Sequence, residues 1–224
     1  MVLPISLCPL PGSLYSALMG YKEAPVAEVR QRHAVTIDLL FSEFLRAHRR
    51  CITQLLAGTV GLVLPVPSSS RPGQPPLDRI DGLGRHAVAA LAPRPWEHPP
   101  LWCPSVLERT HQPVGHMSAH PGAFAVPSWA APVVARTRVL LLDDTYVSGA
   151  RAQSAAAALR LAGAHRVLIV PLGRVIRPDT LTGHASLLRR SRTSRAGPHR
   201  CARCVVTQRE ADRDADAGAG AGTE

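Results

Sequence analysis

The sequence predicts an α/β protein with a mostly parallel, twisted sheet that is flanked by helices. Residues 60–66, 138–142 and 167–172 are apolar runs with the length and composition of buried strands. Between the last two runs, residues 150–162 are rich in alanine and are followed by Gly163, as expected for a helix and its stop signal. A strand, a helix and a strand in this order form a right-handed unit with parallel strands.

The N-terminal segment, residues 1–58, is predicted to be mostly helical. Its first 25 residues are interrupted by proline and glycine, but neither occurs in residues 26–57. Apolar side chains recur there at helical spacing, which predicts one long helix or two shorter ones. His33 and His48 fall within this pattern, and we interpret both as packing or surface residues.

The α/β domain is predicted over residues 59–180, and a tail follows over residues 181–224. Residues 81–92 of the domain have the pattern of a further helix. The tail begins with an arginine-rich part and ends in repeats of Asp, Ala and Gly, which predicts disorder. Its arginines could bind nucleic acid, although a solvated tail is the favoured interpretation.

The chain has 224 residues and a formal net charge of +10, and Lys22 is its single lysine. Such an arginine-dominated charge suits nucleic acid and polyanionic small molecules equally, so charge does not separate these partners. No apolar run reaches membrane-spanning length, and the N-terminus lacks the pattern of a secretion signal. We therefore expect a cytoplasmic protein.

The segment from Val139 to Arg151 has the composition of a ligand site. An apolar run ends in Asp143 and Asp144, and a Ser-Gly pair then precedes the predicted helix. The helix N-terminus would attract phosphate, while carboxylates accept hydrogen bonds from sugar hydroxyls or help to bind a divalent cation. The alternative is an acidic pair that only caps a helix.

This order of residues resembles the phosphoribosyl-pyrophosphate (PRPP) loop of type I phosphoribosyltransferases. The resemblance implies that Asp143 and Asp144 are the catalytic acids, which contact the ribose and bind Mg²⁺ directly or indirectly. It also implies that the 5′-phosphate of PRPP lies in the rest of the loop, which consists of Thr145, Tyr146, Val147, Ser148, Gly149, Ala150 and Arg151.

A second loop has the chemistry that this family uses for pyrophosphate. It follows the predicted strand at 60–66 and offers hydroxyls and a guanidinium, from Ser68, Ser69, Ser70 and Arg71. The alternative is an ordinary connecting turn, because Pro/Ser-rich turns are common between secondary structure elements in globular proteins.

Further segments resemble the ComF-type branch of the family, which is associated with competence and DNA uptake in some bacteria. They are Tyr21-Lys22, residues 107–112 and residues 122–124, and the resemblance spans roughly residues 15–178. The chain departs from that branch in two ways. Its 117–121 segment is short and lacks arginine, so the hood, the mobile loop that covers the site in that branch, is expected to be shorter. It also lacks an N-terminal four-cysteine zinc element.

Two residues of the loop leave the chemistry open. Val147 stands where relatives have Thr or the Asp that serves as general base, so the motif shows no base. Arg151 could bind phosphate or point to solvent.

Of the five cysteines, Cys201 and Cys204 have the spacing of metal ligands. One such pair supplies half of a tetrahedral zinc site, which Cys8 or His199 could complete. Free thiols are the favoured interpretation.

The sequence thus predicts a protein that binds PRPP with Mg²⁺ and transfers the phosphoribosyl group to an unidentified nitrogen acceptor. The alternative is a non-catalytic protein that senses PRPP or associates with nucleic acid. A loop that is only a relic in a scaffold protein is the third and least favoured interpretation.

Overall fold

The computed structural model describes residues 1–67, 77, 80, 82–92, 98–115, 117–177, 201 and 203–204. The strands in this part of the chain are β1 (Ser6–Pro9), β2 (Leu62–Pro65), β3 (Leu101–Trp102), β4 (Glu108–Arg109), β5 (Phe124–Ala125), β6 (Arg138–Tyr146) and β7 (Arg166–Ile176). The helices are α1 (Ser13–Glu23), α2 (Ala27–Ala47), α3 (Arg49–Leu56), α4 (Leu83–Leu91), α5 (Ala131–Val134) and α6 (Ala150–Leu161).

Five of these strands form one parallel sheet in the order β1-β7-β6-β2-β3, and β4 pairs with β5 in a separate antiparallel ribbon. The predicted α/β class with a mostly parallel sheet flanked by helices is confirmed. From β2 the chain continues to β3 on one side, and from β6 it continues to β7 on the other. The neighbours β2 and β6 therefore mark the switch point, where open parallel sheets bind ligands at the carboxyl ends of their strands.

Both faces of the sheet are covered, which explains the uninterrupted apolar run in β6. Leu140 and Leu142 pack into a core formed with helices α1 to α4. Val139 and Leu141 pack into a second core with α6 and residues 123–134. Successive side chains of a strand point to opposite faces, so a central parallel strand must be apolar at every position.

Of the two arrangements predicted for residues 26–57, one long helix or two shorter ones, the structure has two helices, because α2 ends at Ala47 and α3 begins at Arg49. The helices predicted at 81–92 and 150–162 are confirmed as α4 and α6. The sequence did not indicate β1, which pairs with β7, or α1. The N-terminal segment therefore contributes an edge strand as well as helices.

Strand β6 is longer than the predicted run at 138–142. It continues to Tyr146 because Thr145 and Tyr146 still pair with Gly173 and Arg174 of the extended β7. We expected the two acids at the start of a loop, but they lie within the part of β6 that still pairs with β7. The connection from β6 to α6 is consequently only three residues long.

The predicted tail lies almost wholly outside the described residues, and so do the pyrophosphate residues Ser68, Ser69, Ser70 and Arg71. Within the described ranges, none of the helices is both long enough and apolar enough to cross a membrane.

Candidate functional site

Asp143 and Asp144 lie at the carboxyl end of β6, next to the switch point. The strand alternation assigns Asp144 to the face covered by α1 to α4 and Asp143 to the face covered by α6. Asp143 is only 8% exposed. Two adjacent carboxylates therefore meet different surroundings.

Helix α1 supplies the partners of Asp144. The Tyr21 hydroxyl donates a hydrogen bond to the Asp144 carboxylate, and Lys22 Nζ lies 2.6 Å from Asp144 Oδ2. Helix α1 approaches the sheet closely at Gly173, where an added Cβ would lie 2.8 Å from Leu18 Cδ1. The missing side chain of Gly173 thus allows α1 to bring its last turn to the acid.

These contacts shift the two carboxyl pKa values in opposite directions. Burial, followed by the charge of Asp144, raises the pKa of Asp143 to about 7. Burial also acts to raise the pKa of Asp144, but the Lys22 ammonium and the Tyr21 hydrogen bond outweigh it and lower that pKa. Near neutral pH the pair therefore holds Asp144 ionised and Asp143 partly protonated.

Tyr21 is suited to remain a donor. Burial, and then the negative charge of Asp144, raise the pKa of its phenol well above the ordinary value. Arg151, in the first turn of α6, acts on the same acids from the other side, because its charge lowers the pKa of both Asp143 and Asp144. Its guanidinium therefore belongs to the electrostatics of the site.

The turn between β6 and α6 depends on a glycine. Gly149 has φ +81°, a conformation that side chains rarely adopt, and the Tyr146 ring occupies the space that a Cβ would need. Tyr146 is held in turn by Gln153, whose Nε2 lies 3.3 Å from the Tyr146 hydroxyl. The first amides of a helix have no acceptor within the helix, so this glycine start presents N–H donors beside the acids.

Two hydroxyls border this turn. Ser148 Oγ accepts a hydrogen bond from the Ala150 amide at 3.3 Å, at the start of α6. The Thr145 hydroxyl is buried and has no hydrogen-bond partner among the described residues. Because a buried hydroxyl without a partner is costly, a ligand that accepts a hydrogen bond here would be favoured.

The remaining loop position is Val147. Val147 is 57% exposed at the tip of the turn, and its side chain carries no titratable group. The predicted pyrophosphate loop lies outside the described residues, but its starting point is defined. The Val66 amide donates to the Leu142 carbonyl at 2.7 Å, so the chain leaves β2 alongside β6.

The segment at residues 117–121, which the resemblance implies to be a shortened hood, is hydrogen-bonded to α6. The His120 amide donates to Ser154 Oγ at 2.9 Å, and this buried hydroxyl donates to the Ala150 carbonyl at 2.7 Å. A turn at Pro121–Ala123 follows, and β4 and β5 form a small ribbon next to it. The segment is thus tied to the same first turn of α6 that borders the site.

Sequence reasoning missed the direct contact of Tyr21 and Lys22 with Asp144. The only signal was the resemblance of this dipeptide to an early family element, and its distance of 123 residues from Asp144 hides the contact.

The carboxylate oxygens of Asp143 and Asp144 are ligands of the kind that Mg²⁺ prefers. The site combines these acids with helix amides and an unsatisfied hydroxyl, which suits a ligand that carries both phosphate and vicinal hydroxyls. Comparison of the chain with protein-family models, with curated proteins and with solved structures finds no match.

Proposed function

We propose that this chain binds PRPP with Mg²⁺ at the β6–α6 turn and transfers its phosphoribosyl group to a nitrogen acceptor, as type I phosphoribosyltransferases do. One observation carries the proposal: two buried acids with opposite pKa shifts lie beside a positive-φ glycine that begins a helix, at the switch point of a parallel sheet. An acidic pair that only capped the helix would not need this burial, because capping takes place equally well in solvent.

Each part of the ligand has a partner in this proposal. The ribose hydroxyls donate to Asp143 and Asp144, and the 5′-phosphate accepts from the Ser148 hydroxyl, the Thr145 hydroxyl and the first amides of α6. The pyrophosphate group binds to the loop of Ser68 to Arg71. The oxygens of Asp143 and Asp144 would hold Mg²⁺, which would neutralise charge on the leaving pyrophosphate.

The proposed reaction breaks the bond between C1 of the ribose and the pyrophosphate oxygen. The bonding electrons leave with pyrophosphate, C1 gains oxocarbenium character, and the nitrogen lone pair of the acceptor forms the new bond. The nitrogen then loses a proton to solvent or to the departing pyrophosphate. The protein contributes positioning and electrostatic stabilisation, since Val147 provides no base.

A non-catalytic PRPP sensor is the second candidate, and one observation favours it. The position that holds the general base in purine-salvage relatives is here an exposed valine. A protein of this kind would keep the ligand site and lose turnover. The proposed association with nucleic acid would involve the basic tail, which lies outside the described residues apart from Cys201, Arg203 and Cys204.

Binding is tested by titrating PRPP with Mg²⁺ into the wild type and the Asp143→Asn variant by calorimetry. We expect Asn at this position to weaken binding by about tenfold or more, because the amide removes a charged oxygen ligand. Glu43→Gln removes the same charge from an exposed position on α2 and should bind like the wild type. Equal affinity of all three proteins would refute the site.

Turnover is tested by following pyrophosphate release from PRPP with a panel of nucleobases and amines. Release that depends on one acceptor and is lost in Asp143→Asn supports the transferase. PRPP binding without release for any acceptor supports the sensor.

A further inference from the structure

A second cluster of side chains has no part in the proposed reaction. Its members are His48, Cys51, Cys201 and Cys204, and their four candidate ligand atoms all lie within 4.8 Å of one another. His48 and Cys201 are buried, while Cys51 and Cys204 are partly buried. The cluster was not expected from the sequence, which suggested Cys8 or His199 as partners of the cysteine pair.

The spacing of these atoms matches the edges of a tetrahedron around zinc. Cys51 Sγ lies 3.4 Å from Cys204 Sγ, and Cys201 Sγ lies 3.6 Å from Cys204 Sγ. His48 Nδ1 lies 3.5 Å from Cys204 Sγ and 4.0 Å from Cys51 Sγ. Tetrahedral zinc with ordinary bond lengths places two sulfurs about 3.8 Å apart and a sulfur and a nitrogen about 3.6 Å apart.

A disulfide does not explain this arrangement. Bonded sulfurs are about 2 Å apart, much closer than Cys204 Sγ is to the sulfur of Cys51 or Cys201, and all three cysteines are free. A disulfide would also use only two of the four groups. Convergence of three thiols and one imidazole is the ligand set of a closed, structural zinc site.

We propose that His48 Nδ1 and the thiolates of Cys51, Cys201 and Cys204 bind one structural Zn²⁺ ion. Four protein ligands complete its coordination, so the site has no open position for a substrate. Zinc binding displaces the three thiol protons and requires the neutral imidazole, with its proton on Nε2. This proposal is independent of the PRPP site and stands if that site fails.

The local structure presents the first two ligands together. His48 is the residue between α2 and α3, and Cys51 follows one turn later in α3, so both point to the same side. The imidazole is packed against Phe44, with ring centroids 4.5 Å apart. A packed, buried imidazole is held in one orientation, which favours metal binding over a free surface histidine.

The other two ligands come from the far end of the chain. Cys204 is 153 residues from Cys51, and Cys201 packs into the core that contains α1 to α4. A shared metal ion would therefore attach Cys201 and Cys204 to the junction of α2 and α3. Cys8, in β1, and Cys103, close to Ser105, lie outside the cluster.

The first test measures the metal content of the full chain, purified under reducing conditions in the presence of zinc, by plasma mass spectrometry. We expect about one zinc per chain in the wild type and in Cys103→Ser, and a loss of tenfold or more in Cys204→Ser. Cys103→Ser is the matched control, because it also removes a partly buried thiol. Equal zinc contents in the two variants, or a wild type without metal, would overturn the proposal.

The second test uses only the wild type, so that loss of zinc binding cannot be confused with misfolding of a variant. Removal of zinc with a chelator under reducing conditions should lower the melting temperature, and re-addition should restore it. Cobalt in place of zinc should give the intense visible absorption of a tetrahedral thiolate complex. Absence of that absorption, or a non-reduced protein whose intact mass shows a disulfide between these cysteines in place of zinc, would refute the site.

Discussion

At the scale of single residues, the adjacent acids Asp143 and Asp144 have pKa values shifted in opposite directions, because successive side chains of β6 point to opposite faces of the sheet. Asp144 contacts Tyr21 and Lys22 on the side of α1, while Asp143 is buried and the charge of Arg151 offsets only part of the effect of that burial on its pKa. A site of this kind stores a proton near neutral pH. A ligand that needs both carboxylates ionised must displace it.

We therefore expect the binding of PRPP with Mg²⁺ to release protons. With the pKa of Asp143 at about 7, binding at pH 7 should release up to about half a proton from this residue. Affinity should rise about tenfold from pH 6 to pH 8, in addition to the titration of PRPP itself. Calorimetry in two buffers with different ionisation enthalpies measures the release, and wild-type behaviour in Asp143→Asn would contradict the assignment.

The same shift predicts a stability effect. The pKa of Asp143 is about 7 in the folded chain and about 4 when unfolded, so the folded state binds more protons between these values and stability falls as pH rises from 4 to 7. Asparagine does not titrate. In chelator at pH 8, Asp143→Asn should thus exceed the wild type by about 2 kcal/mol in the free energy of unfolding.

Denaturant titrations at pH 4 and pH 8 measure that difference, which should disappear toward the lower pH. Asp144→Asn provides the contrast, because the lowered pKa of Asp144 reflects stabilising contacts with Lys22 and Tyr21. This variant should be less stable than the wild type at pH 8. A destabilised Asp143→Asn at pH 8 would show that burial does not raise the pKa of Asp143 in the folded chain.

At the scale of elements, the turn from β6 to α6 requires a residue without a side chain at Gly149, and a substitution by alanine tests this requirement. Gly149→Ala would force a positive φ on alanine and would collide with the Tyr146 ring. Gly163, at the other end of α6, has φ +91°, and an added Cβ there would meet its nearest atom, in Ala135, at 3.7 Å. The two glycines thus separate backbone strain from steric collision.

We expect Gly163→Ala to cost about 1 kcal/mol of unfolding free energy and to leave PRPP binding unchanged. Gly149→Ala should cost at least about 2 kcal/mol and should weaken PRPP binding strongly, because the turn must move. Thermal denaturation and calorimetry on both variants provide the comparison. Equal effects on affinity would show that the Gly149 turn does not contact the ligand.

The elements that the sequence predicted were those whose evidence is local. The buried runs of β2, β6 and β7 and the helices α2, α3, α4 and α6 have their own periodicity or composition. Strand β1 has only four residues and owes its pairing to β7, which follows it by more than 150 residues. No local pattern can reveal such a partner.

The candidate sites likewise could be predicted only where their residues are close together in the sequence. The acids, the Ser-Gly pair and the helix start form one continuous segment, so their proximity could be predicted. The contact of Lys22 with Asp144 could not, because it depends on how α1 docks against Gly173. For the metal cluster, the spacing of His48 and Cys51 repeats that of Cys201 and Cys204, and this repetition was a usable signal.

At the scale of the whole molecule, the predicted boundary near residue 58 does not separate two cores. One continuous core contains residues of α1, α2 and α3 together with residues of β2, α4, β6 and β7. A polar contact reinforces it, because His86 Nδ1 of α4 lies 2.6 Å from Asp38 Oδ2 of α2. The N-terminal helices therefore cover one face of the sheet.

We expect a fragment that comprises residues 59–224 to fail to fold on its own. It would expose one whole apolar face of the sheet, including Leu140, Leu142, Leu168 and Val170. Circular dichroism and thermal denaturation of the fragment and of the full chain measure this. A fragment with native-like, cooperative unfolding would show that residues 59–224 fold without the N-terminal helices.

The place of β1 in the sheet has a consequence for how the protein is made. A ribosome releases β1 early, but its partner β7 is completed only at Ile176, and the cover of the intervening strands is also formed from the first 56 residues. The apolar surfaces of helices α1 to α3 that pack against β6 and β7 therefore stay exposed until those strands have been synthesised.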